Sequence, residues 1–206
     1  NLRAGSVDLA ERVLPTDVAA IKADPKLRIV TSSALGYEGI TFNLGNGDRS
    51  KAAIDQNALL RQAFEAAIDR QALVDVVFAG MYQPNAQAVS PASPFHVADI
   101  PTPPRDLARA KALIKQAGVP TPVVVSMNVP NTPDRTQEAE VIQAMVREAG
   151  FDLKINLIEF ASSLQAATQG NFESYLIGWS GRADPDGNLY AFLHTGAGQT
   201  DGRYSN

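Results

Sequence analysis

Apolar positions recur at helical spacing from Asp55 onward, at Leu60, Phe64, Ala67 and Ile68. Asp69 then stands where it caps a second helix, "RQALVDVVFAG", closed at Gly80. Asp106 opens "LARAKALIKQAG", whose Leu107, Ala110, Leu113 and Ala117 share one face and whose last residue, Gly118, ends it. The pattern then changes period. "PVVVSMN" reads as a buried strand, "DRTQEAEVIQAMVREAG" as a helix with Ala139, Ile142, Met145 and Ala149 inward, and "FDLKINLIEF" as a strand alternating at Phe151, Leu153, Ile155 and Leu157. The prediction is helices near 55–79, 106–117 and 134–149, strands near 122–128, 151–160 and 174–179, and a right-handed strand–helix–strand crossover.

The first 50 residues are less regular. Thr16 is placed as an N-cap for a short helix over about 16–23, and "LRIVTSS" and "YEGITFNL" read as extended segments on either side of Gly36. "GNGDRSK" follows as a turn. Residues 81–105 hold six of the thirteen prolines and no period, which predicts a long ordered loop or a linker.

Composition narrows the function classes. A formal charge of −4 with no basic stripe gives a phosphate backbone nothing to hold, so nucleic acid is not an expected partner. The absence of cysteine excludes disulfides, thiolate zinc sites and a thiol nucleophile, and leaves the compartment open. The start "NLRAGSVDLA" has neither a basic nor an apolar leader region, and the end "DGRYSN" follows an aromatic-rich stretch that calls for further packing. The chain reads as the interior of a longer protein.

Candidate chemistry gathers in "GWSGRADPDGN", residues 178–188, which holds the only tryptophan. Ser180 lacks the closing glycine of a nucleophile elbow, and His96 and His194 lie far apart in sequence, so no catalytic triad assembles. Asp184, Asp186 and Asn188 alternate like calcium ligands, but glycine falls at the fourth position and Thr195 stands where a bidentate glutamate is required. Turn chemistry, with the aspartates bonding nearby amides, competes with ligand contact for these two residues. No phosphate loop, metal cluster or cofactor motif is present, and neither a cofactor nor a metal is expected.

Several stretches together resemble the family 5 extracellular solute-binding proteins of peptide, nickel and opine-type ABC importers. They are "LRAGSVDLAE", "YEGITFNL", "LRQAFEAAIDRQALVDVVFAG", "DLARAKALIKQAG" and "GWSGRADPDGNLYAFLHTGAGQTDGRYSN", in the family's order. The resemblance implies a periplasmic-binding-protein-like, class II type, two-lobed α/β fold, here mostly the second lobe with a mixed sheet flanked by helices. Residues 1–38 would end lobe one, 39–47 would be the crossover and hinge, and 48–206 would be most of lobe two, cut before the return. It also implies a binding protein without catalytic residues, monomeric at full length. Such a protein captures a small peptide-like or other polar solute by hinge closure and delivers it to a membrane permease. It would face the periplasm or the exterior, behind an upstream signal peptide or lipid anchor. A hydrolytic enzyme on an α/β scaffold and a chaperone-like peptide-interaction module are the competing classes.

The implied ligand-binding residues are Trp179, Ser180, Gly181, Arg182, Asp184, Asp186, Tyr37 and Asn128. Trp179 would give apolar contact and an indole N–H, Ser180 and Gly181 donors or acceptors, and Arg182 a planar charged fork. One position departs from the pattern. Dipeptide and oligopeptide binders of this family carry, three residues after the tryptophan, an aspartate for the peptide amine, and this chain has Arg182. In the loop that supplies a carboxylate-binding arginine in dipeptide binders, "MNVPNTPDR" offers only Arg135.

Overall fold

A computed structural model describes residues 1–11 and 13–205. A 3-10 turn at Pro15–Asp17 leads into α1 (Val18–Lys22). Thr16 lies inside that turn, and no side chain caps α1. Residues 27–33 join no ladder, and Val30 is 78% exposed, so this extended stretch stays outside the sheet.

β1 (Tyr37–Phe42) is followed by α2 (Ala53–Gln56), α3 (Ala58–Ala66) and α4 (Arg70–Phe78). The helix expected from Asp55 is thus broken at Asn57, whose backbone is extended and whose carboxamide oxygen accepts from Leu59 N at 2.9 Å to start α3. Asp69 caps α4 through Ala72 N at 3.0 Å. That helix turns left-handed one residue before the expected glycine, at Ala79.

Residues 81–105 carry no helix or strand, yet the loop is internally bonded: Asn85 Nδ2 donates to Gln87 O at 2.8 Å and to Val89 O at 2.9 Å. Arg105 closes it by donating to Ala67 O at 2.8 Å and Met145 O at 3.1 Å. After α5 (Leu107–Ala117), capped by Asp106, come β2 (Val123–Pro130), α6 (Pro133–Arg147), β3 (Phe151–Ile158), α7 (Phe160–Thr168), β4 (Ser174–Trp179) and α8 (Asp186–Leu193).

Strand order is β1-β4-β2-β3, with β2 parallel to both neighbours and β1 antiparallel to β4. The sheet is mixed and flanked by helices, the expected α/β class. On one face Val123, Val125, Met127 and Val129 of β2 meet Phe64, Ile114, Ile142 and Val146 of the helices in the main core. Phe64 meets the edges of both Phe42 and Phe151, at centroid distances of 5.6 and 5.2 Å. The opposite face holds a smaller cluster of Ala167, Phe172 and Tyr175.

The chain places β3 on one side of β2 and β4 on the other. Such a reversal opens a crevice outside the carboxyl ends of the strands, where ligands of open α/β sheets bind. Trp179 is the carboxyl end of β4.

Candidate functional site

β4 pairs with β1 at six positions, Tyr37 opposite Trp179 through Phe42 opposite Ser174, but with β2 only at Ser174 and Tyr175. The end of β4 therefore runs out from the body of the sheet beside β1. Directly opposed residues share a face, so Tyr37 and Trp179 stand side by side. Trp179 is half-buried, with the ring of Phe192 from α8 edge-on at 4.8 Å.

The Arg182 guanidinium carbon lies 4.6 Å from the Trp179 ring centroid, a cation stacked on an indole. Its Nη1 donates to Gly181 O at 2.8 Å and to Ser180 Oγ at 3.3 Å. The other nitrogens of this exposed side chain have no protein acceptor among the described residues, so one edge of the fork stays available. No ion pair joins Arg182 to Asp184 or Asp186 among the described residues. Asp184 takes the turn role, its Oδ1 accepting from Asp186 N at 3.0 Å, and both aspartates are exposed.

Asn188 holds this arrangement from below. It is 2% exposed; its Oδ1 accepts from Trp179 Nε1 at 3.0 Å and from Arg182 N at 2.7 Å, while its Nδ2 donates to Arg182 O at 2.8 Å. The indole N–H expected for a solute is thus spent within the protein. At Gly181 the backbone has φ +82°, and a Cβ there would overlap the Leu35 carbonyl. A Cβ on Gly36 would in turn overlap the Trp179 carbonyl, so residues 35–36 and 179–181 touch backbone to backbone.

Trp179, Ser180, Gly181, Arg182 and Tyr37 are therefore brought together. Asn128 is not among them: it pairs with Tyr175, four residues before Trp179 along β4, and its amide donates to Asn171 O at 3.3 Å. Both histidines have structural partners, His96 with Gln87 at 3.1 Å and His194 stacked on Tyr190 at 4.4 Å.

Arg135, at the start of α6, is bound by both carboxylate oxygens of Glu38 and by Glu138 Oε2 at 2.7 Å. Its side chain is 17% exposed, so it is committed to tying α6 to β1 and is not held out for a carboxylate. Burial, reinforced by the nearby Glu38, pushes the Glu138 carboxyl up to about 7. Asp55 has the same direction of shift. It too is pushed up to about 7 by burial; its Oδ2 accepts from Ala52 N at 3.2 Å and its buried Oδ1 has no partner.

Two surface depressions, of about 460 and 420 Å³, are lined by residues of α5, the α6 terminus, the start of β2 and Glu173, and by none of the Trp179 loop. Ser180 and Arg182 are exposed, so the loop presents an open wall on this chain.

The family profile "Bacterial extracellular solute-binding proteins, family 5 Middle" matches residues 1–200. The chain belongs to this family. Among its relatives, Di/tripeptide-binding protein 1 of Pseudomonas aeruginosa is 29% identical over 198 residues, covering 92% of this chain and 36% of the relative. Heme-binding protein A of Haemophilus influenzae is 29% identical over 202 residues, covering 93% and 35%. The chain thus spans about a third of the length of the relatives it matches. In structure it resembles the ABC transporter-associated periplasmic binding protein DppA of Helicobacter pylori in complex with the peptide STSA, with a TM-score of 0.89 at 26% identity over 100% of this chain and 40% of that one. It also resembles HbpA2 of Haemophilus parasuis, with a TM-score of 0.80 at 26% identity over 100% and 41%. The periplasmic-binding-protein fold is the one expected.

In this family-5 chain, sequence reasoning missed Asn188, Phe192 and the Glu38–Arg135–Glu138 cluster. By spacing Asn188 reads as a calcium ligand, whereas the signal for its buried role is the apolar run "LYAFL" that follows it after the Pro-Asp-Gly turn.

Proposed function

We propose that this chain is most of the second lobe of the solute-binding component of an ABC importer, with residues 1–38 ending lobe one and 39–47 carrying the crossover. The full-length protein closes on a small peptide-like or other polar solute and hands it to the membrane permease. It works as a monomer on the periplasmic or outer side, behind a signal peptide or lipid anchor. Relatives named for binding di- and tripeptides and heme support binding over hydrolysis. The exposed wall at Ser180 and Arg182 supports a site completed by a second lobe.

The observation that carries the reading at the level of residues is Arg182 stacked on Trp179 with one guanidinium edge free. Where peptide binders carry an aspartate, that edge takes a carboxylate, phosphate or carbonyl group of the solute through forked hydrogen bonds. Tyr37, Trp179, Ser180 and Gly181 form the wall beside it. The closing rotation falls in the crossover, where Gly39, Gly45 and Gly47 absorb the backbone change.

Calorimetric titration of the full-length protein tests this directly, using tri-alanine, its C-terminal amide, its N-acetyl form and heme. Binding of tri-alanine that is weakened by amidation and tolerant of acetylation supports the reading. If amidation has no effect while acetylation abolishes binding, the anionic contact is wrong. If none of the four binds, the peptide-like solute is wrong.

A further inference from the structure

We infer that Asn188 is a positioning residue: a buried clamp that presents Arg182 on Trp179 before any solute arrives. The inference rests on the proposed role of Arg182 as a solute contact.

Arg182 is an exposed loop residue next to a glycine with positive φ, and a free arginine there would sample many rotamers. Three features hold it in one place. The Asn188 carboxamide bonds both the N–H and the C=O of Arg182, as a neighbouring strand would, and fixes the backbone from which the side chain leaves. The same Oδ1 takes the Trp179 indole N–H, so one buried atom sets the tryptophan ring and the arginine backbone in register with each other. Gly187 supplies the third: a Cβ at that position would stand 2.9 Å from Arg182 Cγ and 3.1 Å from its Cβ, so only a glycine lets the arginine stem lie across the start of α8.

Asparagine is the side chain that satisfies all partners at once. Trp179 Nε1 and Arg182 N need an acceptor, and Arg182 O needs a donor, and a carboxamide offers both. Aspartate keeps the two accepted bonds but turns an oxygen on the Arg182 carbonyl. Alanine leaves the Arg182 carbonyl and two N–H groups without their protein partner. Ordering Arg182 in advance removes an entropic cost that binding would otherwise carry, so the clamp acts on affinity although Asn188 itself lies beneath the surface that meets the solute.

The first arm of the test is read without solute, in the full-length protein, on the indole resonance that Trp179→Phe removes. The stacked arginine lies over the ring, so its Hδ and Hε resonances are displaced upfield by the ring current. In Asn188→Ala that displacement collapses and the indole Nε1–H exchanges with solvent at least tenfold faster. In Asn188→Asp the indole protection is largely kept while the Arg182 displacement shrinks. Unchanged arginine resonances and indole exchange in Asn188→Ala overturn the inference. Should the alanine variant fail to fold, the aspartate variant and Gly187→Ala decide in the same way, the latter displacing Arg182 with the indole bond intact.

The second arm is a double-mutant cycle on tri-alanine affinity in the full-length protein. Asn188→Ala weakens binding about tenfold with Arg182 present and less than twofold once Arg182 is alanine. Equal losses in both backgrounds overturn a role through Arg182. If Arg182→Ala alone leaves affinity unchanged, the solute reading of Arg182 fails, and the first arm then upholds or overturns the clamp by itself.

Discussion

The sheet body and the loop at its carboxyl edge are held by different physics. In the body, Phe64, Phe151, Leu60, Met127 and Val125 are each no more than 1% exposed, and the β2–β3 ladder runs through eight paired residues. In the loop, Trp179 is half-buried, Arg182 is exposed, and order depends on the buried carboxamide of Asn188 and on backbone contact at Gly36 and Gly181. Apolar burial sums over many contacts and tolerates the loss of a few. A hydrogen-bonded clamp contributes little net stability but dictates one geometry. The body is held by bulk, while on the proposed reading the loop is specified atom by atom where a polar solute has to be desolvated and still bonded.

The sharpest way to separate the two regions is Phe64→Ala, which removes a ring wedged between Phe42 and Phe151 and is expected to cost about 3–5 kcal/mol in a denaturant titration. A loss under about 1 kcal/mol would show that the body is not held by this core.

Gly181→Ala comes next. It combines positive φ with overlap on Leu35, and a cost of roughly 1–3 kcal/mol is expected, accompanied by loss of the Arg182 stacking signal. An unaffected melting temperature would mean that segments 35–36 and 179–181 do not pack as described.

The third effect depends on pH. Asp55 and Glu138 are both pushed up to about 7, so the folded state holds their protons more tightly than the unfolded chain does. Their contribution is fully present below the ordinary carboxylate range and is lost as pH rises through about 7. Asp55→Asn and Glu138→Gln should each flatten the fall in melting temperature between about pH 4.5 and 7, gaining roughly 2 kcal/mol at pH 8 relative to the parent chain. Parallel pH profiles for parent and variants would contradict the assignment.

The helices and strands of the body were legible because burial there follows a simple period: β2 buries Val123, Val125, Met127 and Val129 in alternation, and Asp69 and Asp106 cap as read. α7 was hidden for two reasons. Its N-cap, Glu159, reads as part of the preceding strand, and its large apolar residues Phe160 and Leu164 are 51% and 42% exposed while the small Ser163 and Ala167 are buried, so no apolar stripe marks it. α8 was hidden behind turn residues that are also its first turn. At the candidate site, resemblance points to Trp179, Ser180, Gly181 and Arg182, which the structure brings together. The roles were harder to read, because which partner takes the indole N–H depends on a residue nine positions later on another element. Arg135 was missed as a tie between α6 and β1, since Glu38 is 97 residues away in sequence.

The smallest expected effect on stability is the most informative for function. Arg182→Ala in the full-length protein should leave the unfolding free energy of the solute-free form within about 0.5 kcal/mol of the parent, because the side chain is exposed and makes no ion pair among the described residues. Calorimetric titration of the same variant with tri-alanine should show binding weakened by roughly 2–5 kcal/mol, with Arg182→Lys restoring only part of the loss, since lysine lacks the planar fork. A lowered melting temperature with unaltered affinity would contradict the account and leave Arg182 as a structural cover for Trp179.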